Sequence, residues 1–108
     1  MTQRITPAEL AAQLRSAAPP RLLDVREVEE HEFAALPGSK LIPVGELGQR
    51  AQEIAEWKQE PVVVYCHHGI RSLHAIQQLQ FLGFSHLLNL TGGIDAWSRE
   101  VDSTVPRY

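Results

Sequence analysis

The sequence has one cysteine, Cys66, among its 108 residues. No internal disulfide can form, and no second cysteine offers the spaced ligands of a structural zinc. A free thiol in this setting fits a reducing compartment. Long apolar runs are missing too. No stretch approaches a membrane span, and Arg4 and Glu9 stand where a signal peptide needs an apolar core. Positive charge is sparse: 10 Lys and Arg against 13 Asp and Glu give a formal charge of −3, with no basic run interleaved with aromatics. Nucleic acid and membrane are therefore not expected as partners. Internal repeats, low-complexity segments and linkers are absent, so the chain reads as one soluble, cytoplasmic domain over residues 1–108.

What is present alternates between two periodicities. Thr6-Pro7-Ala8-Glu9 starts a helix, since threonine caps, proline suits the first helical position and Glu9 completes a capping box. Leu10, Ala11 and Leu14 form its apolar stripe, and it ends before Pro19-Pro20. Residues 21–25 read as a short buried strand that delivers Asp24 and Arg26 at its end. A short helix over 28–35, a turn at Pro37-Gly38 and a brief strand over 40–43 follow. Leu47, Ala51, Ile54 and Ala55 predict a helix over 45–57, with Gln49, Arg50, Gln52 and Glu53 facing water and Trp57 as its last packing residue. The β-branched run 62–65 predicts a strand buried on both faces. Leu73, Ile76, Leu79 and Leu82 mark an amphipathic helix that opens at Arg71-Ser72 and stops at Gly83, with His74 on its outer side. A last strand over 86–90 leads through Gly92-Gly93 into a helix carrying Ile94 and Trp97. Residues 101–108 look irregular. Such alternation predicts an α/β fold, a parallel sheet with helices on both faces. Ligands of such sheets gather at the carboxyl ends of the strands, where Asp24, Arg26 and Cys66 fall.

Cys66 is the candidate nucleophile. It follows an apolar strand, and its neighbours His67, His68, Gly69 and Arg71 are a poor lining for an inert core position, so the chain is expected to leave the core there. If residues 67–70 curl with their N–H groups inward and Arg71-Ser72 open a helix, the sulfur lies beside backbone donors and a positive helix end, conditions that favour thiolate. Gly69 permits the curl. His67 and His68 are adjacent in sequence, so their rings are expected to diverge, each as a polar loop residue facing solvent, and no metal site is expected.

Three stretches together resemble the single-domain rhodaneses, or rhodanese-like sulfurtransferases. Leu22-Leu-Asp-Val-Arg-Glu27 is similar to the family's first box, Cys66-His-His-Gly-Ile-Arg71-Ser72 to its active-site loop, and Thr91-Gly-Gly-Ile-Asp-Ala-Trp97 to its Gly-Gly-x-x-x-Trp signature. The resemblance implies a five-stranded parallel sheet and no cofactor. It also implies transfer of a sulfane sulfur from a donor such as thiosulfate, through a persulfide on Cys66, to cyanide, a thiol or an acceptor protein. Residues 67–71 would bind the donor. Arg71 could contact the anion or pair with a carboxylate to hold the loop. Asp24, Arg26 and Ser72 match loop-supporting positions, though Asp24 and Arg26 equally suit an ordinary ion pair at a strand end. Trp97 and the glycines before it read as fold determinants. Ala34-Ala35-Leu36 departs from the Gly-His-Ile common in the family before the Pro-Gly turn.

Two other functions are consistent with a cysteine loop ending in arginine. Phosphatases and arsenate reductases of the related fold use a loop one residue longer. The shorter ring makes a tighter pocket, better sized for a sulfur atom than for a phosphoryl group. A module that docks a partner without catalysis has no need of the cysteine, whereas a domain relaying persulfide sulfur to another protein retains it.

Overall fold

The computed structural model describes residues 2–108. Five strands, β1 (Gln3–Ile5), β2 (Arg21–Asp24), β3 (Lys40–Leu41), β4 (Val62–Tyr65) and β5 (Leu87–Leu90), form one parallel sheet in the order β1-β5-β4-β2-β3. Between and after them run α1 (Pro7–Leu14), α2 (Val28–Phe33), α3 (Leu47–Arg50), α4 (Ile70–Phe81) and α5 (Gly93–Glu100). Among the described residues no helix is long and apolar enough to cross a membrane.

Side-chain alternation along the strands divides the interior into two layers. On one face Leu23, Val25, Val62, Val64 and Cys66 pack against Leu47, Ala75, Ile76 and Leu79. On the other, Leu22, Val63 and Tyr65 meet Leu10, Ile94 and Trp97. All four residues of β4 are buried, as its unbroken apolar run requires of a central parallel strand. The same period sends Cys66 toward α4 and Tyr65 to the opposite face. Because Asp24 is in register with Tyr65, that face also receives the buried carboxylate.

Local chemistry sets the element ends. Thr6 and Glu9 form the expected capping box on α1. At the end of α4, Gly83 sits at φ +99° while its N–H donates to the Gln80 carbonyl and that of Phe84 to the Leu79 carbonyl, a Schellman closure. Phe84 thereby enters the core, and Leu82, expected on the apolar stripe, is left 37% exposed.

Two segments differ from expectation. The helix expected over 45–57 is a 3-10 turn (Val44–Glu46), the single α-turn α3, and a further 3-10 stretch (Ala51–Trp57) broken at Ile54, whose φ and ψ are −120° and 25°. Gly45 and Gly48 weaken the helical backbone. Leu47 and Ile54 are drawn into the core, while Ala55 faces solvent. β1 was not expected as a separate element: only Ile5 of its three residues is buried, leaving no alternation to detect.

Candidate active site

Cys66 ends the central strand, and residues 67–69 pass over it before α4 begins. Its sulfur accepts hydrogen bonds from the Gly69 N–H at 3.1 Å and the Ser72 N–H at 3.4 Å. These donors stabilise negative charge there, and the first turn of α4 adds the positive end of its dipole. Gly69 reaches this geometry at φ +117°, the left-handed region that side chains resist. Ser72 Oγ lies 3.4 Å from the sulfur and donates to Asn89 Oδ1 at 2.6 Å. Since the single hydroxyl proton points to Asn89, a Cys66 thiol would donate to Ser72, whereas a thiolate would accept from the two amides. Asn89 also donates from Nδ2 to the Gly69 carbonyl at 3.1 Å, tying the loop to β5.

Cys66 does not stand clear of the core as expected. The residue is 1% exposed and packs with Val64, Ala75 and Ile76. Its polar neighbours form a roof over the sulfur instead of lining an open pocket. Ile70, at the head of α4, turns outward and is 67% exposed.

The glycine pair after β5 shapes this roof, a larger role than the fold determinant expected of it. The N–H groups of Ile94 and Asp95 at the start of α5 donate to the carbonyls of Cys66 and His67 at 2.9 and 3.1 Å. Gly93 has φ +63°, and a Cβ there would lie 2.5 Å from the Cys66 carbonyl oxygen. Only glycine lets α5 approach closely enough to hold those carbonyls.

On the far face of β4, Asp24 and Arg26 are fully buried. Asp24 Oδ1 accepts from the Arg26 backbone N–H at 3.0 Å and from Nε at 2.9 Å. Its Oδ2 accepts from Arg26 Nη2 at 2.7 Å and Tyr65 Oη at 3.2 Å, and lies 2.8 Å from His31 Nδ1. The guanidinium also donates to the Ala34 carbonyl at 2.6 Å and to Tyr108 Oη at 2.7 Å. Burial works against the Arg26 charge, but Asp24 and Tyr108 outweigh it and raise its pKa. Tyr65 is pushed up to about 12, by burial first and by the Asp24 charge second. This cluster contains the ion pair at a strand end that was one of the two roles open for Asp24 and Arg26, and buries it completely. It also accounts for the unusual Ala34-Ala35-Leu36 segment, which takes part through backbone groups: the Ala34 carbonyl accepts from Arg26, and the Leu36 N–H donates to Tyr65 Oη at 3.1 Å.

Arg71 is clamped by α2. Its Nη1 and Nη2 donate to the two oxygens of Glu30 at 2.7 and 3.0 Å. Hydrogen bonding from Arg71 lowers the Glu30 pKa to about 2, with Tyr108 Oη donating to the same carboxylate at 2.8 Å. The two histidines do not diverge. Their ring centroids are 3.9 Å apart, and His67 stacks on Tyr108 at 4.0 Å and 8°. His67 is thus packed, with its pKa lowered by burial and then by His68, and only His68 is exposed. The potential ligand atoms of His67, His68 and Asp95 lie within 4.8 Å of one another, the one such trio among the described residues. The Asp95 carboxylate is already held by Arg99 at 3.1 Å and Arg107 at 3.2 Å.

Of the loop residues, Gly69 and Ser72 touch the sulfur, while His67, His68, Ile70 and Arg71 lie in the roof with their side chains directed elsewhere; Asp24 and Arg26 lie across β4 and reach the roof through Tyr108 and Glu30. Tyr65, Asn89, Glu30, His31 and Tyr108 were not singled out from sequence. Of these, Glu30 had a local signal: it closes a capping box with Glu27. Asn89, a lone polar residue in an apolar strand, offered a weaker one.

This cysteine cradle on a five-stranded parallel sheet is the arrangement of a known class. The family model "Rhodanese-like domain" matches residues 6–100, and the chain belongs to that family. It is 40% identical over 90 residues to the Rhodanese-like/PpiC domain-containing protein 12, chloroplastic, of Arabidopsis thaliana, covering 82% of this chain and 30% of that protein. It is 37% identical over 81 residues to the putative sulfur carrier protein YrkF of Bacillus subtilis, covering 75% of this chain and 43% of that protein. The chain thus spans less than half of these curated relatives. The human single-domain sulfurtransferase TSTD1 superposes with a TM-score of 0.79 at 29% identity, covering 93% of this chain and 98% of that one.

Proposed function

We propose that residues 1–108 act as one domain that moves sulfane sulfur through a persulfide on Cys66. The observation that carries this reading is the pair of N–H donors, Gly69 and Ser72, aimed at the sulfur of the chain's one thiol. The Cys66 thiolate attacks the outer sulfur of a donor such as thiosulfate. A new S–S bond forms as the old one breaks, and sulfite leaves with the bonding electrons. Cyanide, a thiol or an acceptor protein then attacks the outer sulfur, and the Cys66 thiolate is regenerated. The two amides hold negative charge on thiolate and persulfide alike. Residues 67–71 form the donor-binding rim. Asn89 and Ser72 hold the loop from below, and Asp24 and Arg26 brace it from across the sheet. Arg71, paired with Glu30, serves chiefly to hold the rim in shape.

A protein acceptor suits this reading, because a relative is named as a putative sulfur carrier protein. The free thiol fits the reducing cytoplasm. Four residues between Cys66 and Arg71 argue against phosphoryl transfer, which needs a wider ring. The direct test is intact-mass measurement after incubation with thiosulfate. One added sulfur, removable by a reductant and absent in Cys66→Ser, is expected. Its absence with several donors, or its persistence in Cys66→Ser, would overturn the assignment.

A further inference from the structure

The segment after α5 has no regular structure, yet it is anchored. Val105 is buried at 8% exposure among the residues of the α1 and α5 face, and Arg107 donates to Asp95 at 3.2 Å. These anchors bring Tyr108 to the roof of the site, where it touches three elements. Its ring stacks on His67, the residue after the nucleophile, and meets Phe33 of α2 edge-on at 5.8 Å and 81°. Its hydroxyl accepts from Arg26 and donates to Glu30, the carboxylate that clamps Arg71.

The roof is held from beneath by Asn89 and by the start of α5, both tied to the folded core. Toward solvent, the roof is attached by the His67 stack on Tyr108, by the Arg71 pair with Glu30 and by His68, which packs on His67 and stands 3.9 Å from the Asp95 carboxylate; Tyr108 touches the first two. With Cys66 1% exposed as a residue, a reagent reaches its thiol only if something in this roof moves. The buried attachments are costly to break, whereas Tyr108 is 44% exposed and belongs to an irregular segment.

We infer that Tyr108 is the positioning residue that governs access to Cys66: stacked on His67 and bonded to Glu30, it closes the roof over the sulfur and holds Arg71 against α2, and its release frees both. This rests on Cys66 being the thiol that takes up sulfur, but its test does not require that sulfur be transferred.

The test compares wild type with Tyr108→Phe and Tyr108→Ala, using the rate of Cys66 alkylation by iodoacetamide and the KM and kcat for thiosulfate. Tyr108→Ala should alkylate about two to ten times faster, the ratio that loss of one aromatic contact produces. Its KM should change more than its kcat. Tyr108→Phe keeps the stack but loses the hydroxyl bonds to Glu30 and Arg26, so its alkylation rate should fall between those of wild type and Tyr108→Ala. Added low urea should leave the accelerated rate flat, since local opening exposes little new surface, whereas global unfolding would make it climb steeply. A Tyr108→Ala rate equal to wild type, or an acceleration that grows steeply with urea, would overturn the inference. If no variant forms a persulfide while Tyr108→Ala still alkylates faster, the sulfur-transfer reading fails and the role of Tyr108 in access stands.

Discussion

Gly93→Ala places a methyl group where the backbone of Cys66 and His67 already lies. The added Cβ would stand 2.5 Å from the Cys66 carbonyl oxygen, a clash with main chain that no rotamer change relieves. The φ of +63° adds strain of about 1–2 kcal/mol for a non-glycine residue. If α5 backs away to relieve the overlap, the Ile94 and Asp95 bonds to the Cys66 and His67 carbonyls lengthen or break. Each such bond contributes roughly 0.5–1.5 kcal/mol. A net destabilisation of about 2–5 kcal/mol is the expected outcome, measured as a lower midpoint of urea unfolding with unchanged slope. The loop should loosen as well, so Cys66 should alkylate faster and take up sulfur from thiosulfate more slowly. A variant within about 1 kcal/mol of wild type, with the same alkylation rate, would show that α5 does not hold the loop.

Other consequences can be measured in the same way. Asp24→Ala leaves the Arg26 guanidinium buried without its carboxylate, and should cost roughly 3–5 kcal/mol in urea unfolding; a loss below 1 kcal/mol would mean the pair behaves as a surface one. Tyr65→Phe strips the buried Leu36 N–H of its acceptor; about 1–3 kcal/mol of stability should go with it, and a neutral result would mean water takes the hydroxyl's place. Glu30 has its pKa depressed to about 2 against an ordinary 4.5, so the unfolded chain takes up that proton first as pH falls. Its contribution is present above pH 4.5 and is lost between 4.5 and 2. Unfolding free energy should therefore fall through that window, and less steeply in Glu30→Gln. Identical pH slopes for the two proteins would remove the Arg71 clamp from the account.

Most of the fold could be read from short-range signals. The capping box of Thr6 and Glu9, the unbroken apolar run of β4, and Gly83 after α4 each act within a few residues, where sequence and conformation are tightly coupled. The place of Cys66 at a strand end could be read too, because an apolar run followed by His67, His68, Gly69 and Arg71 is a local chemical environment. The segment over 45–57 misled because its apolar spacing fits a helix equally well before the core selects which side chains enter. β1 escaped because pairing with β5, rather than its own composition, makes it a strand.

The amino-acid order alone thus determined the α/β alternation, the single thiol and the amide-rich turn that follows it, since backbone propensity and hydrophobic period are local properties. What surrounds the sulfur was decided only when distant segments met. Asp24, Arg26 and Glu30 come from one stretch of the chain, His67 from a second and Tyr108 from a third. Hydrogen bonds and ring stacking are set by through-space distance, and only the folded chain brings Tyr108 onto His67 and the Arg71 guanidinium onto Glu30.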